Sequence, residues 1–342
     1  MRHAGRVPDP QLANVSMNTN DVVPTIAAEL MRELIASAVL APSSHNTQPW
    51  LFVAGRDYID VIADRRRALP VNDPHDRELT ISCACALFNL RVAAAHAKLC
   101  AEVSLLPEGS SADLLARLRL SRTDKSPPEA ALHAAVAARR TVRERFQATP
   151  VDDEAMVALA RAAESEGAML DVIAFPPQRY ALAELVAEGD RLLWAQASWR
   201  RELAAWMHPR RSGDGLSMPA LAVPVAQAVV RTFDMGHGVA AKDRQLADES
   251  PLLAVLATEG DTTTDWLVAG QALQRSLLSG VQLGLQASYL NQPVQMAATR
   301  EKLRARIGIR GVPQLVLRWG RPVNAVSASP RRPVAEVLEL VT

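Results

Sequence analysis

Apolar positions in this chain recur at helical spacing in some stretches and fill short runs in others, so the pattern predicts both helices and strands. Residues 24–39 place Ile26, Leu30, Met31, Leu34, Ile35, Ala38 and Val39 on one helical face, with Pro24 suited to the first turn. Residues 152–163 repeat the arrangement with Met156, Val157, Leu159, Ala160 and Ala163, again behind an aspartate and a proline. Two other stretches, 79–99 and 266–285, are apolar almost all round, which marks helices buried between layers. Strands are expected at 169–175, 252–258 and 313–319, and the apolar run Leu51-Phe52-Val53 opens another.

The chain is built twice. Displaced by about 186 positions, Ala86-Leu87 falls on Ala272-Leu273, Leu99 on Leu285, Ala101 on Ala287 and Pro107 on Pro293. The expected organisation is a disordered tail over residues 1–20, a first repeat over 21–123, a linker near Ser121–Pro128 and a second repeat over 124–342. The halves diverge in complementary ways. After its first helix the N-terminal half has the loop Pro42–Trp50, where the other half has only Glu164-Ser165-Glu166-Gly167. Before its first helix the C-terminal half has Arg139-Arg140-Thr141-Val142-Arg143, where the other has Asn18-Thr19-Asn20-Asp21. Residues 206–240, rich in Pro, Gly and Met and without clear periodicity, read as a flap or lid.

A length of 342 residues allows one large domain or two ordinary ones, and a formal charge of +1 offers no field to nucleic acid or an anionic membrane. No run of eighteen apolar residues and no hydrophobic N-terminal stretch is present, so no membrane span or secretory signal is expected and the location expected is the cytoplasm. Cys83, Cys85 and Cys100, without metal-ligand spacing, read as buried core thiols. No metal site is expected.

The candidate chemistry lies in three segments. Residues 41–50 read Ala-Pro-Ser-Ser-His-Asn-Thr-Gln-Pro-Trp. They offer neutral donors and acceptors (Ser43, Ser44, Asn46, Gln48) on a backbone stiffened at Pro42 and Pro49, which suits a flat heteroaromatic ligand. Arg139, Arg140 and Arg143 with Thr141 form a cationic cluster matched to a phosphate monoester, or else a solvated helix end. Asn291 and Gln292 follow the second buried helix, where they are either a ligand contact or a polar pair closing a strand before Pro293. Arg331 and Arg332 stand in a basic, Pro-flanked segment near the C-terminus.

The loop resembles the Pro-Ser-x-x-Asn-x-Gln-Pro-Trp signature of the FMN-dependent nitroreductase family, and the arginine cluster resembles its Arg-Arg-Ser-x-Arg motif, with Thr141 in place of serine. The fused arrangement is most similar to the Acg-type branch of that family. The resemblance spans roughly residues 22–340 and implies an α+β fold: a three-layer α/β/α sandwich with mixed, mostly antiparallel sheets, two fused repeats forming an intramolecular pseudo-dimer. It implies one FMN site per chain, with Pro42, Ser43, Ser44, Asn46 and Gln48 from the first repeat. Arg139, Arg140, Thr141 and Arg143 from the second would hold the phosphate, completed by Arg331 or Arg332, while Asn291 and Gln292 fall at the flavin edge. The implied activity passes electrons from NAD(P)H through FMN to a small nitroaromatic or quinone acceptor, with no catalytic side chain required. The same site equally suits a protein that stores FMN under a lid. A monomer is expected, with a homodimer left open.

Gly236-His237-Gly238-Val239-Ala240-Ala241 matches a dinucleotide-binding pattern, with a strand at Val229–Phe233 before it, but too short a stretch follows for the crossover helix that such a motif needs.

Overall fold

The computed structural model describes residues 26–208 and 213–341, so the expected tail over 1–20 and the first-turn role of Pro24 lie outside the described residues. The N-terminal half runs α1 (Ala28–Ala38), β1 (Trp50–Ala54), β2 (Tyr58–Ala63), α2 (Arg77–His96), β3 (Leu99–Leu105) and β4 (Leu114–Arg122). The C-terminal half opens with α3 (His133–Ala138), α4 (Asp153–Glu164), β5 (Met169–Val172), α5 (Pro176–Ala195) and α6 (Ala197–Ala205). There follow β6 (Met207–His208), β7 (Leu216–Ser217), α7 (Val223–Thr232), α8 (Gly236–Asp248), β8 (Leu252–Thr258) and α9 (Thr263–Gln282). The chain closes with β9 (Gln286–Tyr289), α10 (Gln292–Gln295), α11 (Ala297–Ile307), β10 (Val312–Gly320), α12 (Val334–Val337) and β11 (Leu338–Leu340).

Two main sheets result, in the orders β11-β1-β2-β4-β3 and β5-β8-β10-β9, beside a two-stranded parallel pair of β6 and β7. Every pairing in the two main sheets is antiparallel except β1 with β11, where Phe52 lies opposite Leu338. The fold is therefore α+β with mixed, mostly antiparallel sheets. Helices α1, α2, α4 and α9 fill the space between the sheets with a shared apolar core. Strand β8 is buried along its whole length because α5 and α11 cover its other face, which gives α/β/α layering around the second sheet. The last strand crosses back to extend the first sheet, so the N-terminal half's sheet is completed by chain from the C-terminal half.

Helices α2 and α9 are the predicted buried pair, shifted by two or three residues from the sequence-based bounds. Gly270 is a point of close approach between them. A Cβ built there would stand 2.3 Å from the Ile81 carbonyl oxygen and 2.5 Å from Ala84 Cβ, so only glycine admits the contact. Cys85 Sγ donates to the Gly270 carbonyl at 3.2 Å, and Gln274 donates to Asn89 at 2.7 Å. The helix α2 is long and apolar enough to cross a membrane, but it is buried in protein.

Three expectations need correction. Cys83 and Cys85 are buried, but Cys100 is exposed, because its side chain points outward from the edge strand β3. Residues 206–240 are largely regular, containing β6, β7, α7 and the start of α8, with Val223 and Val230 as the buried positions of α7. The Gly236–Ala241 pattern opens α8 itself, and Val229–Thr232 is helix rather than strand, so the geometry of a strand-to-helix phosphate loop is missing there.

Candidate functional site

The chain turn after α1 is held open by three non-glycine residues in the left-handed region, His45 (φ 49°), Asn46 (φ 54°) and Gln48 (φ 51°). Each such residue costs of order 1–3 kcal/mol unless its surroundings enforce the conformation. Here they do: Asn46 N donates to the Ser43 carbonyl, Thr47 N to that of Ser44, and Gln48 N to Ser43 Oγ, all at 3.0 Å. Ser44 Oγ donates to Glu78 at 2.5 Å and so ties the loop to α2. His45 is turned inward, with burial depressing its pKa to about 4, and its Nδ1 is without a partner among the described residues.

The arginine segment is set by the end of α3 and by the edge of β9. Thr141 bridges Ala287, Val142 N donates to the Ala287 carbonyl at 3.0 Å, and Arg140 N donates to Gln286 at 2.7 Å. This places residues 139–143 beside the loop of the other half. Arg139 donates to the Leu40 carbonyl at 2.9 Å. From the C-terminal segment, Arg331 donates to the carbonyls of Leu40 (3.2 Å) and Ala41 (3.1 Å) and to Asn46 Oδ1 (3.2 Å).

Loop, arginine segment and C-terminal segment converge on one cavity of about 490 Å³, within the size range of small-molecule sites. Of the sequence-predicted residues, Pro42, Ser43, Ser44 and Asn46 line it, as do Arg139, Arg140, Thr141, Arg143, Asn291, Gln292 and Arg331. Gln48 and Arg332 do not. Gln48 is fully buried and spends its amide on the Gly213 carbonyl (2.8 Å) and on Arg332 N (2.9 Å), so it joins segments instead of facing a ligand. Arg332 turns away to the Gln48 carbonyl, Asp64 and Glu336, and the structure thereby separates the two arginines that sequence alone left equivalent. Asn291 and Gln292 begin the short helix α10 instead of closing a strand, and Asn291 Oδ1 accepts from Val316 N at 3.0 Å.

The electrostatics of the arginines are unusual. Neighbouring Arg145 and Arg332 pair with Glu249 and Asp64, but Arg139, Arg140, Arg143 and Arg331 form no ion pair among the described residues. Burial, with Arg139 and Arg140 close by, pushes Arg331 down to about 9. Burial likewise lowers Arg139. Arg143 keeps solvent-accessible surface at the cavity, and the protein crowded around it lowers its pKa in the same direction. The Nε atoms of Arg139 and Arg331 and the hydroxyl of Tyr289 are buried without hydrogen-bond partners among the described residues. Cations gathered without a counter-charge are costly, and a bound dianion would relieve that cost.

One wall comes from the 206–240 region, through Leu216 and Val239. Residues 213–217 form a strap across the loop. Gly215 N donates to the Asn46 carbonyl at 3.1 Å, and Arg67 pairs with Asp214, which also meets His208 at 3.3 Å. Gly213 sits on the Arg331 carbonyl with φ 72°, a position closed to a side chain. Sequence reading missed several lining residues, among them Glu78, Tyr289, Asp190, Asp243 and Lys242. The visible signal for Asp190 was a carboxylate inside an otherwise apolar helical face; Lys242 and Asp243 lie in the stretch after Gly238 that the sequence reading left too short for a helix and that forms α8.

No protein-family model matches the chain. It is 31% identical over 322 residues to the Mycobacterium tuberculosis protein named "Putative NAD(P)H nitroreductase Rv3131", the match covering 91% of this chain and 92% of that one. It is 25% identical over 343 residues to "Probable NAD(P)H nitroreductase PigM" of a Serratia strain, covering 91% and 93%. A solved structure of the FMN-dependent nitroreductase NfnB from Mycobacterium smegmatis in complex with NADPH aligns with TM-score 0.42 at 19% identity, covering 62% of this chain and 98% of that one.

Proposed function

The chain belongs to the NAD(P)H nitroreductase family, and we propose that its cavity holds one FMN and serves an oxidoreductase reaction. The observation that carries this reading is the set of four arginines without carboxylate partners among the described residues, beside a neutral polar loop. A phosphate dianion fits the first, through Arg139, Arg140, Thr141, Arg143 and Arg331. The hydrogen-bonding edge of a flavin fits the second, through Ser43, Ser44 and Asn46. Bound there, FMN would carry an electron pair from NAD(P)H to a nitroaromatic or quinone acceptor. The loop comes from one half and the arginines from the other, so we read the halves as a fused pseudo-dimer in which a single chain completes its site, working in the cytoplasm as a monomer. The purified protein is expected to be yellow and to release about one flavin per chain on denaturation. Two flavins per chain, or none after reconstitution with excess FMN, would overturn the reading.

The strap favours a second reading, in which the protein holds FMN with little turnover. Residues 213–217 are tied to the loop by Gly215 N donating to the Asn46 carbonyl and Gln48 Nε2 donating to the Gly213 carbonyl, and to Arg67 by the Asp214 ion pair. Ordering costs about a kilocalorie per mole or more for each residue held, so such a cover opens readily. Gly215→Val, whose Cβ would stand 2.3 Å from His208 Nε2 at φ 71°, should displace the strap without touching the arginines. Stopped-flow mixing with NAD(P)H should then bleach the flavin faster than in the wild type, and FMN should dissociate faster. Equal rates in the two proteins would show that the strap does not gate the site and would leave ordinary turnover.

A further inference from the structure

A separate wall of the cavity carries two acids joined by one amide. Gln292 Nε2, at the start of α10, donates to Asp190 Oδ1 of α5 at 3.2 Å and to Asp243 Oδ2 of α8 at 2.7 Å, and all three residues line the cavity. Asp190 is only 3% exposed, and its Oδ2 has no hydrogen-bond partner among the described residues. Gln292 Oε1 is also buried without a partner. The other charges around this group are Lys242 beside Asp243, Arg191 beside Asp190, and Arg318 from β10, which acts on Asp243. None of these cations hydrogen-bonds to Asp190.

Two carboxylates held by the same amide in a partly dry site resist double ionisation, so one of them retains a proton near neutral pH. Burial first, and the charge of Asp243 second, push Asp190 up to about 7. Asp243 is raised by burial to a lesser degree, with Lys242 and Arg318 opposing the shift. Asp190 lines the cavity with one oxygen committed to Gln292 and the other buried without a partner among the described residues, so part of its hydrogen-bonding capacity is unused by the protein.

We propose that Asp190 is the proton donor to the acceptor reduced in this cavity, with Asp243 and Gln292 as positioning residues that keep its carboxyl protonated and fixed. This assignment rests on the FMN reading. A quinone that becomes a quinol gains two electrons and two protons. When bound, FMN would supply the electron pair and one proton, taken from NAD(P)H as hydride. The other proton passes from the Asp190 carboxyl to the second quinone oxygen, and the carboxylate left behind is reprotonated from solvent. The favoured acceptors are thus those that must be protonated as they are reduced, and pure one-electron acceptors gain nothing from the group.

The test compares two oxidants on the flavin-loaded protein, reduced beforehand with NAD(P)H: a water-soluble p-quinone, and ferricyanide, which accepts electrons without a proton. In Asp190→Asn the ratio of the quinone rate to the ferricyanide rate should fall by about a hundredfold, the scale of general-acid catalysis. In Asp243→Asn, which removes the like charge, the fall of the quinone rate with rising pH should begin at lower pH than in the wild type. A readout independent of flavin is the melting temperature. A carboxyl whose folded pKa lies above its unfolded value stabilises fully below the unfolded value and loses that contribution as pH rises to about 7. The wild type should therefore lose stability relative to Asp190→Asn between pH 4 and about 7. An unchanged rate ratio in a flavin-loaded variant, or parallel melting curves across that range, overturns the assignment while leaving the FMN reading intact. A protein that takes up no flavin overturns the FMN reading and this assignment with it, whatever the melting curves show.

Discussion

Replacing Arg143 or Arg331 with alanine is expected to weaken FMN by about 1.5–3 kcal/mol in each case, roughly 10- to 150-fold in affinity, as for charge-assisted bonds to phosphate. Riboflavin, which lacks the phosphate, should bind the variants and the wild type almost equally. The ligand-free protein should respond in the opposite sense. The four arginines have no carboxylate partner among the described residues, and Arg331 is already displaced to about 9 by burial and its neighbours, so removing one cation relieves repulsion. Arg143→Ala should therefore melt no lower than wild type without ligand and lower than wild type at saturating FMN, because ligand binding to the folded state raises stability by about 2.7 kcal/mol at a hundred times Kd. Titration of both flavins, paired with melting curves with and without FMN, checks this. Equal weakening of FMN and riboflavin would make the arginines structural supports and remove the phosphate from the site.

Gly270→Val should be the most damaging single substitution in the scaffold. The added Cβ meets the Ile81 carbonyl at 2.3 Å and Ala84 Cβ at 2.5 Å, and both belong to a helix held on all sides. Relief requires α2 and α9 to separate, and overpacking of this kind costs about 3 kcal/mol or more where the obstacle is backbone. The expected consequence reaches the site. Glu78 and Cys85 of α2 and Leu273 of α9 line the cavity, so flavin affinity should fall with stability. Gly238, in α8, is the contrast, because a Cβ added there would meet nothing within 4 Å. Gly238→Ala should stabilise slightly, by about 0.4–1 kcal/mol, through the unfolded state. Denaturant unfolding of the two variants gives the comparison, and a Gly270→Val protein as stable as wild type would mean that the helix pair is not the rigid centre of the molecule.

Helices α2 and α9 and strands β8 and β10 were legible because burial on nearly all sides leaves a continuous apolar run, and β8 matches its expected bounds of 252–258. The 206–240 region was not. Its helix α7 is apolar on one face with Leu221, Val225 and Phe233 exposed around it, while Pro224, Gly236 and Gly238 interrupt the period, so regular structure read as a flap. Cys100 looked like a core thiol because composition does not say which face of an edge strand looks outward. In the site, the loop and the arginine segment were visible because their residue types are local and clustered. Asp190, Asp243 and Gln292 were not legible as a group, since they lie far apart along the chain and come together only when α5, α8 and α10 pack.

The sequence by itself determined that the chain mixes helices and strands, that two long helices are buried, that a neutral polar loop and a set of arginines stand in different halves, and which family it resembles. Each of these is written in local periodicity or in a short run of residues. Tertiary structure alone decided that loop and arginines meet in one cavity and that Arg331 faces it while Arg332 turns to Asp64. It also decided that Gln48 is a strut, that the strap lies across Asn46, and that the last strand closes the first sheet. The physical reason is the same throughout. Backbone periodicity and residue type fix which face an element buries, but the direction of an individual side chain depends on long-range packing and on hydrogen bonds to residues distant in the chain.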